Sequence, residues 1–409
     1  MYIYLLLQKI THLLNSFAGM KGKVFFLLPV FFIIAGFHNA AHAQQEPDSV
    51  WQKLQPHFSP PSEYAGKYGD YRSPLKFYDG REVKTPADWK KRRKEILRRW
   101  NDMMGHWPKL IKKPAFEILD SVRQENFTRY HIEFVWRRGE TTKGYLLVPD
   151  GQEIKPAVVT VFYEPETAAG LKKPERPNRD VGIQLARRGF VVLSTGIDFV
   201  SKKNPYNQYY PDYNNATIQP LSMLAYLAAN AYNLVARLPY VDSKRVGITG
   251  HSYGGKWSMF ASCLYEKYAC GAWNDLGIVF DDTRSNVNYE DPWYLGYYSP
   301  PWSERDSTVT DIGAENKGLY PKLRKEGYDL HELHALMAPR PFLVSGGSED
   351  PPERWIPLNH AIALNKFLGY ENRVAMTNRP THEPNPESNE KLCLFFEHFL
   401  KYNGITKKK

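Results

Sequence analysis

The chain has 409 residues, of which 42% are hydrophobic, and this composition is typical of a globular protein with one large or two ordinary domains. Its net charge of +10 owes much to six lysines, three within the first 23 residues and three in the last three positions. The excess of positive charge that remains on the body is mild. It excludes an extended nucleic-acid-binding surface, and we expect no nucleic-acid partner.

The N-terminal segment has the features of a secretory signal peptide. A basic start at residues 20–23 precedes an apolar run at residues 24–35, and Ala41-His42-Ala43 forms a cleavage site. We predict a signal peptide over residues 1–43, cleaved after Ala43, with Met20 as an alternative start. The apolar run is shorter than the ~20 residues of a membrane span. We therefore expect a periplasmic or secreted protein without a stable membrane anchor.

The next segment, residues 44–115, is predicted to be an N-terminal arm and a helix. Residues 44–84 are rich in Pro, Tyr and Gly and predict an irregular arm. Thr85 and Pro86 are typical of a helix start, and the apolar spacing predicts a helix from Pro86 to Met104. Three alternating runs follow, FEILDSV, TRYHIEFVWR and TKGYLLVP, which predict antiparallel strands. They begin a catalytic domain predicted over residues 116–402, followed by a basic tail at residues 403–409.

From Pro156 onwards, apolar strands alternate with helical segments. The predicted strands are AVVTVFY, FVVLSTGID, RVGITG, RPFLVSGG and RVAMTN. Helices are predicted between and after them, including one from Gly255 to Tyr268 that follows RVGITG. This alternation indicates an α/β fold in which helices cover both faces of a mostly parallel sheet. The predicted fold class is therefore a doubly wound α/β-hydrolase sheet with antiparallel N-terminal strands. Two aromatic-rich insertions, at residues 199–219 and 281–320, are predicted to be loops over a pocket.

The motif VGITGHSYGGKW predicts a nucleophile. Gly250 and Gly254 flank Ser252 between an apolar strand and a helix, which is the pattern of a nucleophile elbow. A glycine-rich strand-to-helix turn without catalytic function is the alternative, because glycine also serves where a turn needs backbone freedom. The two interpretations differ in whether a histidine and a carboxylate follow Ser252 at suitable positions in the sequence.

Two further groups follow Ser252 in the order that an α/β-hydrolase requires. Asp350 comes after RPFLVSGGSE and His382 after RVAMTNRPT, so that both lie near the carboxyl ends of strands, where open parallel sheets bind ligands. We predict a catalytic triad of Ser252, His382 and Asp350. Glu349 and Asp275, which follows the candidate strand CGAW, remain alternatives for the acid.

Backbone N–H groups are expected to form the oxyanion hole. The elbow supplies one from Tyr253, and the turn after AVVTVFY supplies the other near Tyr163 or Glu164. Cofactors and metals are not predicted. His331 and His334 in HELH lack a third nearby ligand, and we interpret them as structural. Cys263 and Cys270 could form a disulfide, but we favour small core side chains for these two and Cys393.

Residues 156–400 resemble the serine-esterase branch of the α/β-hydrolases, and within it the dienelactone-hydrolase-like and glucuronoyl-esterase-like carbohydrate esterases of bacteria. The motifs that carry this resemblance are GITGHSYGGKW, LHALMAPRPFLVSGG and EDPPERW. Ser252, Gly255 and Lys256 match the spacing of the glucuronoyl-esterase elbow, G-x-S-R-x-G-K. The resemblance implies that Lys256 reaches sugar hydroxyls and that Trp355 stands near the position of the tryptophan that stacks on the sugar in that family. Tyr253 replaces the arginine of that elbow.

Two further tryptophans, Trp293 and Trp302, lie in the second aromatic insertion and complete the predicted substrate-binding set of Lys256, Trp293, Trp302 and Trp355. We predict a serine carboxylic-ester hydrolase acting on carbohydrate esters, either uronate methyl and other uronoyl esters or O-acetyl groups. The alternatives are a prolyl-oligopeptidase-type serine peptidase, which the missing propeller repeat disfavours, and a non-catalytic hydrolase-fold binding protein.

Overall fold

The computed structural model describes residues 47–172, 175–197, 208–281, 283, 289–300 and 318–402. The predicted signal peptide and basic tail, Trp302, and parts of both aromatic insertions lie outside these residues. The strands of the described residues form one nine-stranded sheet. Their bounds are β1 Phe116–Arg123, β2 Phe127–Arg137, β3 Glu140–Pro149, β4 Lys155–Phe162, β5 Val191–Gly196, β6 Val241–His251, β7 Cys270–Asn274, β8 Phe342–Gly346 and β9 Val374–Asn378.

The order of the strands in the sheet is β1-β2-β3-β5-β4-β6-β7-β8-β9. The first three pairs, β1/β2, β2/β3 and β3/β5, are antiparallel, and every pair from β5/β4 onwards is parallel. This arrangement confirms the predicted antiparallel start and parallel continuation. The carboxyl ends of β4, β6, β7, β8 and β9 consequently meet at one edge of the sheet.

Helices connect these strands and cover the sheet. The α-helices are α1 Pro47–Leu54, α2 Pro86–Met104, α3 Pro165–Ala168, α4 Val181–Arg187, α5 Pro220–Val235, α6 Tyr253–Leu264, α7 Tyr320–Lys325, α8 His331–Ala335, α9 Trp355–Phe367 and α10 Pro386–Glu397. A 3₁₀ turn at Pro352–Arg354 precedes α9, and a π-helical turn at His398–Tyr402 follows α10. Thr85 caps α2 in a capping box, which explains why the sequence locates this helix so accurately.

The sheet is buried on both faces because its central strands are apolar throughout. All eight residues of β4 are buried. Ala157, Val159 and Val161 belong to one apolar cluster and Val158 to another, so alternate side chains pack on opposite sides. The first cluster includes residues of α2, α5 and α6, and the second includes residues of α1, α4 and α10. This is the doubly wound arrangement that the alternation of strands and helices predicts.

The N-terminal arm packs against the catalytic half, and the described residues from 47 to 402 belong to one compact unit. Asn359 on α9 donates hydrogen bonds to the carbonyl oxygens of Tyr64 and Lys67. None of the helices in the described ranges is sufficiently long and apolar to cross a bilayer. Cys263, Cys270 and Cys393 are free and buried, as expected for small core side chains.

Candidate active site

The elbow at Ser252 joins β6 to α6 through a strained residue. Ser252 has φ +56° and ψ −116°, a conformation that side chains adopt only where the surrounding structure enforces it. Its backbone N–H donates to the Asn274 carbonyl oxygen at 2.8 Å, and its carbonyl oxygen accepts from Lys256 N at 3.0 Å. These bonds attach the serine to the end of β7 and to the first turn of α6.

The two glycines around Ser252 are required by close backbone contacts. A Cβ atom at Gly250 would lie 2.2 Å from the Gly254 carbonyl oxygen, and one at Gly254 would lie 2.1 Å from the Val161 carbonyl oxygen. Neither separation is compatible with a side chain, because backbone atoms in the first turn of α6 and in the central strand β4 cannot move aside. The spacing of the motif therefore reflects a tight elbow packed against β4.

His382 lies beside this elbow and is bonded to a buried carboxylate. Its Nδ1 atom is 2.7 Å from Asp275 Oδ2, and its side chain is 31% exposed whereas that of Asp275 is fully buried. The imidazole ring packs on His251, the residue before the serine, with 4.6 Å between ring centroids. The site therefore presents serine, imidazole and carboxylate at the ends of neighbouring strands.

The structure places Asp275 against His382, whereas the predicted acid Asp350 is bonded to a backbone turn. Its Oδ2 atom accepts from the N–H groups of Leu276 and Gly277, each at 2.9 Å, and its Oδ1 atom accepts from Ile278 N at 2.7 Å. The Asp350 carboxylate is thus occupied by the turn that follows Asp275. Burial first, and the neighbouring Asp275 charge second, raise the pKa of Asp350 above its ordinary value.

Asp275 and Asp350 each accept hydrogen bonds from backbone N–H groups in the loop that carries the other. Asp275 Oδ1 accepts from the N–H groups of Gly347, Glu349 and Asp350 at 2.5, 3.1 and 3.0 Å. Glu349, the other alternative for the acid, therefore contributes its backbone N–H rather than its carboxylate to this contact. Asp275 has φ +47°, a conformation that aspartate tolerates better than most residues. Both carboxylates follow neighbouring parallel strands, which is why the sequence pattern does not separate them.

The two residues of the predicted oxyanion hole lie on adjoining elements. Tyr253 begins α6 and is 1% exposed, and its ring stacks on Tyr163 with 4.8 Å between centroids and 9° between planes. Glu164 follows Tyr163 and precedes α3, and its carboxylate accepts from Thr167 Oγ1 and pairs with Arg176. The stacked rings hold the start of α6 against the turn after β4.

Lys256 is buried beneath the elbow, whereas a residue that binds sugar hydroxyls is expected to reach the pocket surface. Its ammonium donates to the Leu276 carbonyl oxygen and lies 4.1 Å from the centroid of the Tyr289 ring. Tyr289 in turn donates to the Gly277 carbonyl oxygen at 2.7 Å. Burial lowers the pKa of Lys256 to about 8. In this structure the lysine supports the turn after Asp275.

Trp293 and Trp355, the two predicted aromatic contacts among the described residues, differ in their exposure to solvent. Trp293 is 40% exposed and makes a T-shaped contact with Tyr294, so part of its ring lies at the surface of the described residues. Trp355 is only 3% exposed, because the first turn of α9 packs into the main apolar cluster, and it does not present a face to solvent. The expectation that Trp355 offers a stacking surface is corrected accordingly.

Sequence reasoning missed two residues next to His382. His251 is 8% exposed, and burial lowers its pKa well below the ordinary value, so it is neutral. Arg379 is 7% exposed and donates to the His382 carbonyl oxygen at 2.5 Å. His251 stands inside the elbow motif, and Arg379 follows β9 by one residue. Position at the carboxyl end of a parallel strand is the signal that singles out both.

The fold and part of the sequence are similar to those of known proteins. Residues 142–272 match the dienelactone hydrolase family. The solved structure of a glucuronoyl esterase from Solibacter usitatus superposes with a TM-score of 0.63 and 17% identity over 82% of this chain and 99% of that one. The chain has the α/β-hydrolase fold. The resemblance to dienelactone-hydrolase-like and glucuronoyl-esterase-like proteins is thereby confirmed.

Other proteins with the α/β-hydrolase fold extend the comparison. A family 15 glucuronoyl esterase from Caldicellulosiruptor kristjansonii has a TM-score of 0.59 and 20% identity over 85% of this chain and 95% of that one. Carbohydrate esterase MZ0003, from an unknown prokaryotic organism, is 26% identical over 191 residues. That alignment covers 42% of this chain and 40% of the curated relative. These similar proteins are esterases of carbohydrates.

Proposed function

We propose that this protein is a serine carboxylic-ester hydrolase that acts on carbohydrate esters outside the cytoplasm, through Ser252, His382 and Asp275. The observation that carries the proposal is the bond between His382 Nδ1 and the buried Asp275 carboxylate, next to a strained serine elbow. The arrangement supports the chemistry of an acyl-enzyme mechanism, because a serine hydroxyl needs a neighbouring base to become a nucleophile.

His382 is the general base in this mechanism. The Nδ1–H group of His382 donates a hydrogen bond to Asp275, which leaves Nε2 unprotonated and able to take the proton from Ser252 Oγ as that oxygen attacks the ester carbonyl. The imidazolium then protonates the leaving alcohol. Water then enters, and its oxygen attacks the acyl carbonyl while His382 removes its proton. The bond from the acyl carbon to Ser252 Oγ breaks, and the imidazolium returns the proton to Oγ as the acid leaves. Asp275 stays ionised and stabilises the imidazolium in both halves of the cycle.

The developing oxyanion is bound by the backbone N–H groups of Tyr253 and Glu164. The position supports this role, because Tyr253 begins a helix directly after the nucleophile and Glu164 lies at the end of β4. The stack of Tyr163 on Tyr253 favours a fixed distance between the two donors. Donors that are held in place before the reaction stabilise charge without reorganisation, and removal of one costs about 10²- to 10³-fold in kcat.

The substrate class follows from the proteins to which the chain is similar and from the residues around the serine. Several similar structures are glucuronoyl esterases, and a putative acetyl xylan esterase from Bacteroides fragilis has a TM-score of 0.54 and 16% identity over 81% of this chain. The partly exposed Trp293 supplies an apolar ring that suits contact with a sugar. We therefore propose uronoyl esters, including methyl esters, with O-acetyl groups as the second candidate. The predicted signal peptide supports a periplasmic or secreted location.

The decisive experiment incubates the chain from Gln44 onwards with methyl-esterified pectin, a glucuronoyl ester and acetylated xylan, and measures the methanol, alcohol and acetate released. Ser252→Ala and His382→Ala should each abolish turnover, since loss of a triad member typically costs on the order of 10⁴- to 10⁶-fold. A fluorophosphonate probe should label the wild type at Ser252. Absence of labelling and of turnover would favour a non-catalytic binding protein instead.

A further inference from the structure

We propose that Arg379 is a positioning residue that fixes the Asp275–His382 pair for proton transfer. The inference rests on the proposed function and adds to it a residue that acts through the pair. Arg379 follows β9 by one residue and is 7% exposed, so that a charged guanidinium lies inside the protein at the edge where the active-site residues meet. A buried charge is costly unless its donors are satisfied.

The guanidinium connects three chain segments that carry the site. Its Nη2 atom donates to the His382 carbonyl oxygen at 2.5 Å and to Asn274 Oδ1 at 2.8 Å. Its Nη1 atom donates to the Ser345 carbonyl oxygen at 2.9 Å, and its Nε atom donates to the Glu383 carbonyl oxygen at 2.7 Å. The end of β7, the end of β8 and the histidine loop are thus bonded to one planar group.

The same group balances the charge of the acid. Arg379 Nη2 lies 3.9 Å from Asp275 Oδ2, the atom that binds His382. The other titratable or charged groups that face the pair come from several elements. His251 packs on the His382 ring, Glu383 lies on the histidine loop, and its partner Arg179 precedes α4. Glu349, Asp350, Arg354 and Lys256 lie on the side of β8, α9 and α6. Arg379 is the cation in direct contact with both the histidine loop and the residue before Asp275. Its loss should therefore change both the orientation and the charge of the pair.

A matched control exists in Arg340. This arginine is 9% exposed and donates to the carbonyl oxygens of Ser262, Tyr268 and Leu336, so it is also buried and bonded to backbone acceptors. None of these acceptors belongs to the site. Arg379→Ala and Arg340→Ala both remove a buried guanidinium, but only Arg379→Ala removes hydrogen bonds to the segments that carry the active site.

The experiment measures kcat, KM and the pH profile of both variants per folded molecule, with folding checked by circular dichroism and thermal melting. We expect Arg379→Ala to lose kcat on the order of 10²-fold, as misplacement of reacting groups does, with KM changed less than about threefold. The acidic limb of kcat/KM should move to higher pH, because a less balanced Asp275 charge favours the imidazolium. Added guanidinium, well below denaturing concentrations, should restore part of kcat. Arg340→Ala should show a lower melting temperature and none of these effects.

Several outcomes would overturn the proposal: a kcat for folded Arg379→Ala within about threefold of wild type, an unmoved acidic limb, or an equal kcat loss in Arg340→Ala. If Arg379→Ala does not fold, Arg379→Lys replaces it. Lysine keeps the charge but cannot reach all the acceptors in one plane. A loss of kcat of about tenfold or more then supports positioning, and wild-type kcat refutes it. Ser252→Ala serves as a separate reference, because turnover by that variant would refute the proposed function itself.

Discussion

At the scale of single residues, the two buried aspartates have different environments and should respond differently to the same change. Asp275→Asn keeps the shape of the side chain but presents the wrong hydrogen-bonding partner to His382 Nδ1. We expect kcat to fall about 10⁴-fold with the fold retained, because the imidazole is then held in the wrong tautomer. Steady-state kinetics and a melting curve test this result.

Asp350→Asn provides the comparison. Its carboxylate accepts three backbone N–H groups, and an amide in its place turns a donor towards at least one of them. We expect the free energy of unfolding to fall by about 1–3 kcal/mol, with a smaller loss of kcat than in Asp275→Asn. If Asp350→Asn instead shows the larger kcat loss in a folded protein, the acid of the mechanism is Asp350.

Lys256 should make stability depend on pH in a definite direction. Burial lowers its pKa to about 8 in the folded state, whereas the unfolded chain keeps the ordinary value. Between these two values the unfolded state binds more protons, so the free energy of unfolding rises with pH. Below pH 8 both states are protonated and Lys256 contributes no slope.

Denaturant titrations of the wild type and Lys256→Met test this prediction between pH 7 and pH 10. The difference between their free energies of unfolding should shift in favour of the wild type as pH rises, by up to about 1.4 kcal/mol per pH unit above pH 8. Taking the difference cancels the tyrosines that titrate in the same range. A constant difference would mean that the ammonium is solvated in the folded protein.

At the scale of elements, the stack of Tyr163 on Tyr253 joins the turn after β4 to the start of α6. Tyr253→Phe keeps the ring and should retain kcat within about threefold, whereas Tyr253→Ala leaves a cavity that costs about 3–5 kcal/mol. A double-mutant cycle of Tyr163→Leu and Tyr253→Leu should give a coupling of about 0.5–1.5 kcal/mol in stability. Additive effects of the two substitutions would show that the stack does not connect these elements.

The accuracy of the sequence-based predictions also depended on the element. The helix from Pro86 to Met104 was predicted with its observed bounds, because Thr85, Pro86 and Asp88 form a local start signal. The predicted helix from Gly255 to Tyr268 instead runs from Tyr253 to Leu264. Its start is set by the elbow, whose strained serine is enforced by contacts with β4 and β7 that no local pattern encodes.

At the scale of the whole molecule, the sequence predicts the sheet because buried parallel strands are apolar along their whole length. It predicts the positions of Ser252 and His382 because both lie at strand ends in a known order. The choice between Asp275 and Asp350 depends on which carboxylate meets the imidazole and which binds a backbone turn. That choice is a matter of distances of a few ångströms across two loops, and the sequence order does not contain it.

The buried position of Glu332 shows why the N-terminal arm belongs to the same folding unit. The Glu332 side chain is fully buried on α8, 3.3 Å from Arg72 Nη1, and accepts from Tyr78 Oη at 2.9 Å and from Trp100 Nε1 at 3.1 Å. Two of these partners, Arg72 and Tyr78, come from the arm. Burial raises the pKa of Glu332. Arg72 and Tyr78 of the arm counteract this shift, because their charge and hydrogen bond favour the carboxylate.

Removal of residues 44–84 should therefore leave a buried carboxylate without Arg72 and Tyr78, while Trp100 remains. Breaking a buried pair in this way typically costs about 3–5 kcal/mol, which is a large part of the stability of a typical domain. We expect the shortened chain to be insoluble or readily digested by trypsin, whereas the chain from Gln44 is resistant. Glu332→Gln in the shortened chain removes the uncompensated charge and should restore part of the resistance. A shortened chain that is as stable as the longer one would show that the arm is an independent appendage.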